Sequence, residues 1–322
     1  MKKNLLISLI ALSFSFFSCN SIDKRQNTLT IFHAGSLSMP MKAIADSFKL
    51  KNPGVTIRLE AAGSVECARK ITELNRQCDI MASADYKIID DLLIPDYADW
   101  NVLFSGNEMA IVHNKKSRYA NEINKDNWCD ILLKPEVNYG RSDPNADPCG
   151  YRTLLALQLA ERFYSKPNLF NEIAQKDNRF VRPKEVDLIA LLETGTVDYI
   201  FLYRSVAVQH ELEYLILPNE INLGSQLFSD EYSHVQIKIR GSAMGDTLLI
   251  SGEPMIYGLT IPKNAPNRRL AEEFTRFFLH PEKGLKVIEQ MGMPPLNPLI
   301  IKNEKSMDEV LFKQISGINE YE

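Results

Sequence analysis

Apolar residues along this chain fall into two alternating patterns. Leu29-Thr30-Ile31-Phe32 is a short continuous run of the kind that forms a buried strand, and Met41, Ile44, Ala45 and Phe48 then recur at the spacing of one helical face. Pro53-Gly54 stops that helix, Val55 to Leu59 reads as the next strand, a helix runs through Ile71 and Leu74, and Asp79 to Ala82 reads as a third strand. Strand, helix, strand in alternation predicts an α/β fold on parallel-type sheets with right-handed crossovers.

The alternation returns at Glu136 to Tyr139 (strand), Gly150 to Phe163 and Glu185 to Glu193 (helices) and Tyr199 to Tyr203 (strand), with Gly195 placed to cap the second helix. Past Glu220 the order changes: Val235 to Ile239 and Leu248 to Ile250 suggest a hairpin around Gly241 to Asp246, and Leu270, Phe274, Phe277 and Phe278 mark a last amphipathic helix. At 322 residues the chain exceeds the size at which one core stops growing, about 250–300 residues, so two lobes are expected. The strand-like segments Met109 to Val112 and Met255 to Leu259 are the candidate crossings of a two-strand hinge. They divide the chain into residues 28–110 with 257–322 as one lobe and 111–256 as the other.

The first residues follow another pattern. Met1-Lys2-Lys3 precedes an apolar run from Leu5 to Phe17, the charged start and short hydrophobic core of an export signal, too short for an ordinary transmembrane span. The run ends in Phe16-Phe17-Ser18-Cys19, which resembles the lipobox where bacterial lipoproteins are cut and acylated. Residues 1–18 are therefore expected to be a signal peptide, Cys19 the lipidated residue and 19–27 a polar tether, which puts the protein in the periplasm or cell envelope, held to a membrane by its lipid. The alternative is a cysteine that happens to end a signal peptide. Cys67, Cys78, Cys129 and Cys149 match neither a zinc ribbon nor a CxxC pair; Cys67 and Cys78 could bridge, but buried free thiols are the expectation.

Charge removes one class of partner. With 37 basic and 41 acidic residues the chain is net negative, and the export segment takes two of the lysines with it, so nothing favours nucleic acid. Two segments nevertheless suggest anion binding: Ala34-Gly35-Ser36 and Ala62-Gly63-Ser64 each stand between a strand and a helix, where glycine admits a close ligand and helix-start N–H groups are unpaired. Both serines could equally be plain N-caps. A third run, Asp143-Pro144-Asn145-Ala146-Asp147-Pro148-Cys149-Gly150-Tyr151-Arg152, also leads straight into a helix, and Asp147 by itself reads as its cap. Net charge speaks to solubility and steering rather than to a recessed site, so an acidic chain can hold an anion through local dipoles.

These residues carry a resemblance. His33 to Leu37 (HAGSL), Ala61 to Ser64 (AAGS), the DPNADPCGYR run and Tyr203 to Ala207 (YRSVA) together look like the tungstate-binding family of periplasmic proteins, relatives of the molybdate binders with the two-lobed type II solute-binding fold. The similarity extends from Thr28 to about Pro298. It implies a monomeric carrier of tungstate or molybdate, without a resident cofactor, that serves an ABC permease and ATPase complex. It also implies that Ser36 and Ser64 of the first lobe donate to the oxyanion, that Cys149 offers its backbone N–H and Tyr203 its hydroxyl from the second, and that Asp147 and Glu185 are the family's two carboxylates.

Carboxylates beside a dianion repel it unless protonated. A tungsten or molybdenum centre can accept two further hard oxygen donors and complete an octahedral shell, which sulfur in sulfate cannot do. That argument favours a tungstate or molybdate carrier over a sulfate or phosphate binder or a non-transport sensor. A hydrolase of phosphate or sulfate esters is a remote alternative, since no nucleophile stands beside a base. His33, His113, His210, His234 and His280 never fall at ligand spacing, and Arg152 reads as a balance for the local acids, as added charge at the site or as a surface ion pair.

Overall fold

The computed structural model describes residues 27–176, 178–241 and 245–316. The expected signal peptide and the acylated Cys19 lie outside these residues.

The chain opens with β1 (Thr28–Ala34), the helix Ser38–Lys51, β2 (Thr56–Ala62), the helix Ser64–Thr72, β3 (Ile80–Ser83), the helix Tyr86–Leu92 and β4 (Asn101–Gly106). It continues through β5 (Met109–His113), β6 (Tyr139–Ser142), the helix Pro148–Phe163, β7 (Val181–Arg182), the helix Asp187–Glu193, β8 (Tyr199–Tyr203) and β9 (Glu213–Ile216). A hairpin of β10 (Gln236–Arg240) and β11 (Thr247–Ser251) follows, then β12 (Ile256–Thr260), the helix Arg268–Phe278 and β13 (Pro295–Lys302).

Two α/β lobes result, each on its own sheet. The first sheet runs β13-β4-β12-β3-β1-β2 and the second β7-β6-β8-β5-β9. β2, β1 and β3 are parallel, as their alternation with helices requires, while β12 enters antiparallel between β3 and β4, so the sheets are mixed. In the second sheet β7, β6 and β8 are parallel and β5 is antiparallel to β8.

Register determines what meets at the sheet edges. Ala34 lies opposite Ala62 and His33 opposite Ala82, so the turns that follow β1, β2 and β3 emerge side by side. Antiparallel β12 brings its first residues to the same edge, with Gly258 opposite Ser83. Ligands of open α/β sheets bind outside the carboxyl ends of the strands.

Met109–His113 pairs entirely within the second sheet and Ile256–Thr260 entirely within the first. The strands adjacent at the junction are β4 and β12, with Gly106 opposite Ile256; the stretch 107–108 links the first sheet to the second, and 252–255 leads from the β10–β11 hairpin back into the first. The middle strand starts at Tyr139, three residues after its expected start, because Lys134 to Val137 close a turn first, the Val137 N–H donating to the Lys134 carbonyl. The β10–β11 hairpin and the helix Arg268–Phe278 form where expected. Cys67, Cys78, Cys129 and Cys149 are free and buried, as expected.

Candidate functional site

Ser36, Ser64, Asp147, Cys149, Glu185 and Tyr203 are all buried, and they gather at the seam between the two sheets. Ser36 and Ser64 follow β1 and β2, Asp147 and Cys149 follow β6, Glu185 follows β7, and Tyr203 ends β8. These are all carboxyl ends of strands, so sheet topology alone explains why residues far apart in sequence converge.

Asp147 caps the helix Pro148–Phe163: its Oδ1 accepts from the Cys149 N–H at 3.2 Å. The Cys149 N–H, expected to face an anion, therefore already has a carboxylate partner. The other oxygen, Oδ2, accepts from the Glu185 N–H at 2.8 Å. Burial, and then the neighbouring Glu185 carboxylate, push the Asp147 carboxyl well above its ordinary value.

Glu185 stands outside the helix that the pattern gave it. That helix begins at Asp187, and Glu185 lies in the preceding turn, its carbonyl accepting from the Leu188 N–H. The side chain is fully buried, and neither carboxylate oxygen has a hydrogen-bond partner among the described residues. It faces the first lobe's glycine turn so closely that a β-carbon on Gly35 would sit 3.0 Å from Oε2. Gly63 admits the second lobe in the same way, since a β-carbon there would meet the Ala146 carbonyl oxygen at 2.1 Å.

The hydroxyls are held by donors. Neither serine caps its helix through its side chain. Ser64 Oγ accepts from the Ala84 N–H at 2.9 Å, and Ser36 Oγ accepts from the Tyr257 hydroxyl at 3.0 Å. Tyr257 in turn accepts from Asn107 Nδ2 at 3.0 Å, and the same nitrogen donates to Ser205 Oγ at 2.7 Å. Asn107 stands in the link between the sheets, so one amide joins both lobes to Ser36. Burial raises the Tyr257 phenol, keeping it a protonated donor. The pattern of the sequence pointed to neither Tyr257, in a strand-like crossing, nor Asn107, just before the other one; neither carries a local chemical signal.

Arg152 is a correction to the surface reading. Its guanidinium is 3 % exposed and reaches across the seam to the Asp85 carboxylate at 3.2 Å, while Tyr151 donates its hydroxyl to the same carboxylate at 2.6 Å. His33 is structural: its Nδ1–H donates to the Ala34 carbonyl at 2.8 Å, and burial lowers its pKa from 6.5 to about 4, so the ring is neutral. No group of three or more His, Cys, Asp or Glu residues converges among the described residues. Asp147 and Glu185 are a pair of oxygen donors, too few to enclose a bare cation and suited to a centre that brings oxygens of its own.

Two lobes whose sheet edges face one another across buried polar groups define the class of the periplasmic binding proteins. The periplasmic molybdate-binding protein of Azotobacter vinelandii matches with a TM-score of 0.59 at 13 % identity, over 82 % of this chain and 98 % of its own. The sulfate-binding protein SubI of Mycobacterium tuberculosis matches with a TM-score of 0.61 at 15 % identity, over 84 % of this chain and 88 % of its own. At these identities the likeness shows the fold.

Sequence comparison goes further, and the chain belongs to the bacterial extracellular solute-binding protein family, which matches residues 29–294. An uncharacterised solute-binding protein of Petrotoga mobilis is 48 % identical over 84 % of each chain. The molybdate/tungstate-binding protein WtpA of Thermococcus kodakarensis is 42 % identical over 89 % of this chain and 87 % of its own, and that of Pyrococcus abyssi 41 % over 92 % and 94 %. The protein is a solute-binding protein.

Proposed function

We propose that its solute is tungstate or molybdate, bound at the seam with four oxygens of its own and two from Asp147 and Glu185. The observation that carries this reading is the Glu185 carboxylate, fully buried, unpartnered among the described residues and beside a second carboxyl. A buried polar group left without a hydrogen-bond partner costs about 1–3 kcal/mol, and a group retained at that cost calls for a compensating partner. Sulfate and phosphate would add negative charge to the pair. A tungsten or molybdenum centre accepts electron pairs from it, and both oxygens of Asp147 retain a lone pair after their backbone contacts.

The hydroxyls support the same reading. Ser36 and Ser64 each accept from a protein donor, which leaves each hydroxyl proton to be given to an anionic oxygen. Two 41–42 % identical relatives carry the name molybdate/tungstate-binding protein.

In this reading the chain crosses between its two lobes close to the expected boundaries, at residues 107–108 and just before Ile256, closure on the anion creates the form that an ABC permease and its ATPase receive, and Cys19 anchors the carrier to the membrane. Calorimetric titration of the purified protein with tungstate, molybdate, sulfate and phosphate tests the ligand. Tight binding of the first two and little of the others is expected. Sulfate binding as tightly as tungstate would overturn the assignment.

A further inference from the structure

The geometry points to Arg152 as the positioning residue that fixes the Tyr203 hydroxyl as a donor to the bound oxyanion, through a guanidinium anchored on the opposite lobe. This rests on the proposed oxyanion site and deepens it.

A phenol has one proton and two lone pairs, so its usefulness to an anion depends on what else it touches. Tyr203 is fully buried at the end of β8. Its oxygen accepts from Arg152 Nη1 at 3.1 Å. A guanidinium carries only donors, so this contact has one polarity. The phenol proton is thereby turned away from Arg152, and no acceptor for it is recorded among the described residues. Burial raises the Tyr203 phenol well above its usual value, so that proton is present at neutral pH.

The guanidinium cannot swing aside to serve the anion by itself. Nη1 also donates to the Ala84 carbonyl at 2.6 Å, and Nη2 is 3.2 Å from Asp85 Oδ2, a carboxylate oxygen that accepts the Tyr151 hydroxyl as well. Ala84 and Asp85 follow β3 in the first sheet, whereas Arg152 and Tyr203 belong to the second lobe. Residue 84 also supplies the N–H that holds Ser64 Oγ. One planar fork therefore spans both lobes, and its three acceptors are available together only when the lobes meet. Lysine, with a single point of charge, cannot reproduce that fork.

A double-mutant cycle separates positioning from mere structure or charge. Tungstate affinity is measured by calorimetry for the parent, Arg152→Met, Tyr203→Phe and the double variant, with thermal unfolding recorded for each. Each single change is expected to weaken binding about 10- to 100-fold, and the double variant to lie within about threefold of Tyr203→Phe, because the two act as one unit. Losses that multiply would overturn the inference. Arg152→Lys retains the charge and serves where the methionine variant fails to fold. It is expected to lose affinity and to show the same coupling to Tyr203→Phe, and parental affinity in it would overturn the inference by showing that charge suffices. A parent that binds no tetrahedral oxyanion would remove the proposed function itself, and this inference with it.

Discussion

Replacing Glu185 by glutamine should change stability and binding in opposite directions. The carboxylate is fully buried with both oxygens unpartnered among the described residues, and it lies so near the Gly35 turn that a β-carbon there would sit 3.0 Å from Oε2. Two acids buried side by side repel one another as carboxylates, a cost that a neutral amide of the same shape removes, leaving about 1–3 kcal/mol if the amide is unpaired. The variant should therefore be more stable without ligand, by on the order of 1–2 kcal/mol, with a rise of about 2–4 °C in Tm for each kcal/mol. Loss of an outer-shell partner costs a metal site about 10- to 100-fold, and loss of a direct oxygen donor should cost at least the upper figure, about 2.8 kcal/mol. Thermal unfolding without ligand and calorimetry with tungstate read the two effects separately. A variant that is less stable yet binds tungstate as the parent does would refute the reasoning, since Glu185 would then be a structural acid.

Three further outcomes follow from the site. Asp147→Asn keeps an oxygen for the helix cap but can no longer accept at both positions now filled by the Cys149 and Glu185 N–H groups, so a stability loss of about 1 kcal/mol and a much larger loss of tungstate affinity are expected from paired unfolding and titration experiments. Gly63→Ala places a β-carbon 2.1 Å from the Ala146 oxygen of the opposite lobe, which should hinder closure and lower affinity at least tenfold with little loss of thermal stability; unchanged affinity would show that the lobes need not approach this closely. The neutral His33 is held near pKa 4 against 6.5 for an ordinary histidine, so the unfolded chain binds this proton first as pH falls. Stability is then lost between about pH 6.5 and 4, by roughly 3 kcal/mol, and His33→Gln should flatten that part of the stability profile; an unaltered slope would assign the loss to other groups.

Much of the machinery was legible because it is local. A cap, a glycine turn and a strand-to-helix boundary each depend on neighbours within a few residues, and Ala34-Gly35-Ser36, Ala62-Gly63-Ser64 and Asp147 announce themselves in that way. Glu185 was named through resemblance, yet its helical pattern misplaced it. Apolar periodicity extends a helix backward to the first compatible residue, whereas Glu185 lies in the turn before the helix with its N–H on Asp147 Oδ2.

The sequence by itself determined the alternation of strands and helices, the two-lobed class and the glycine-serine turns. Tertiary structure alone decided what those groups touch. Tyr257 reaches Ser36 across 221 residues because β12 is inserted antiparallel in the first sheet, and Arg152 reaches Asp85 because two sheets present their carboxyl ends to one another. Such pairings depend on register and on the meeting of lobes, which no local pattern encodes.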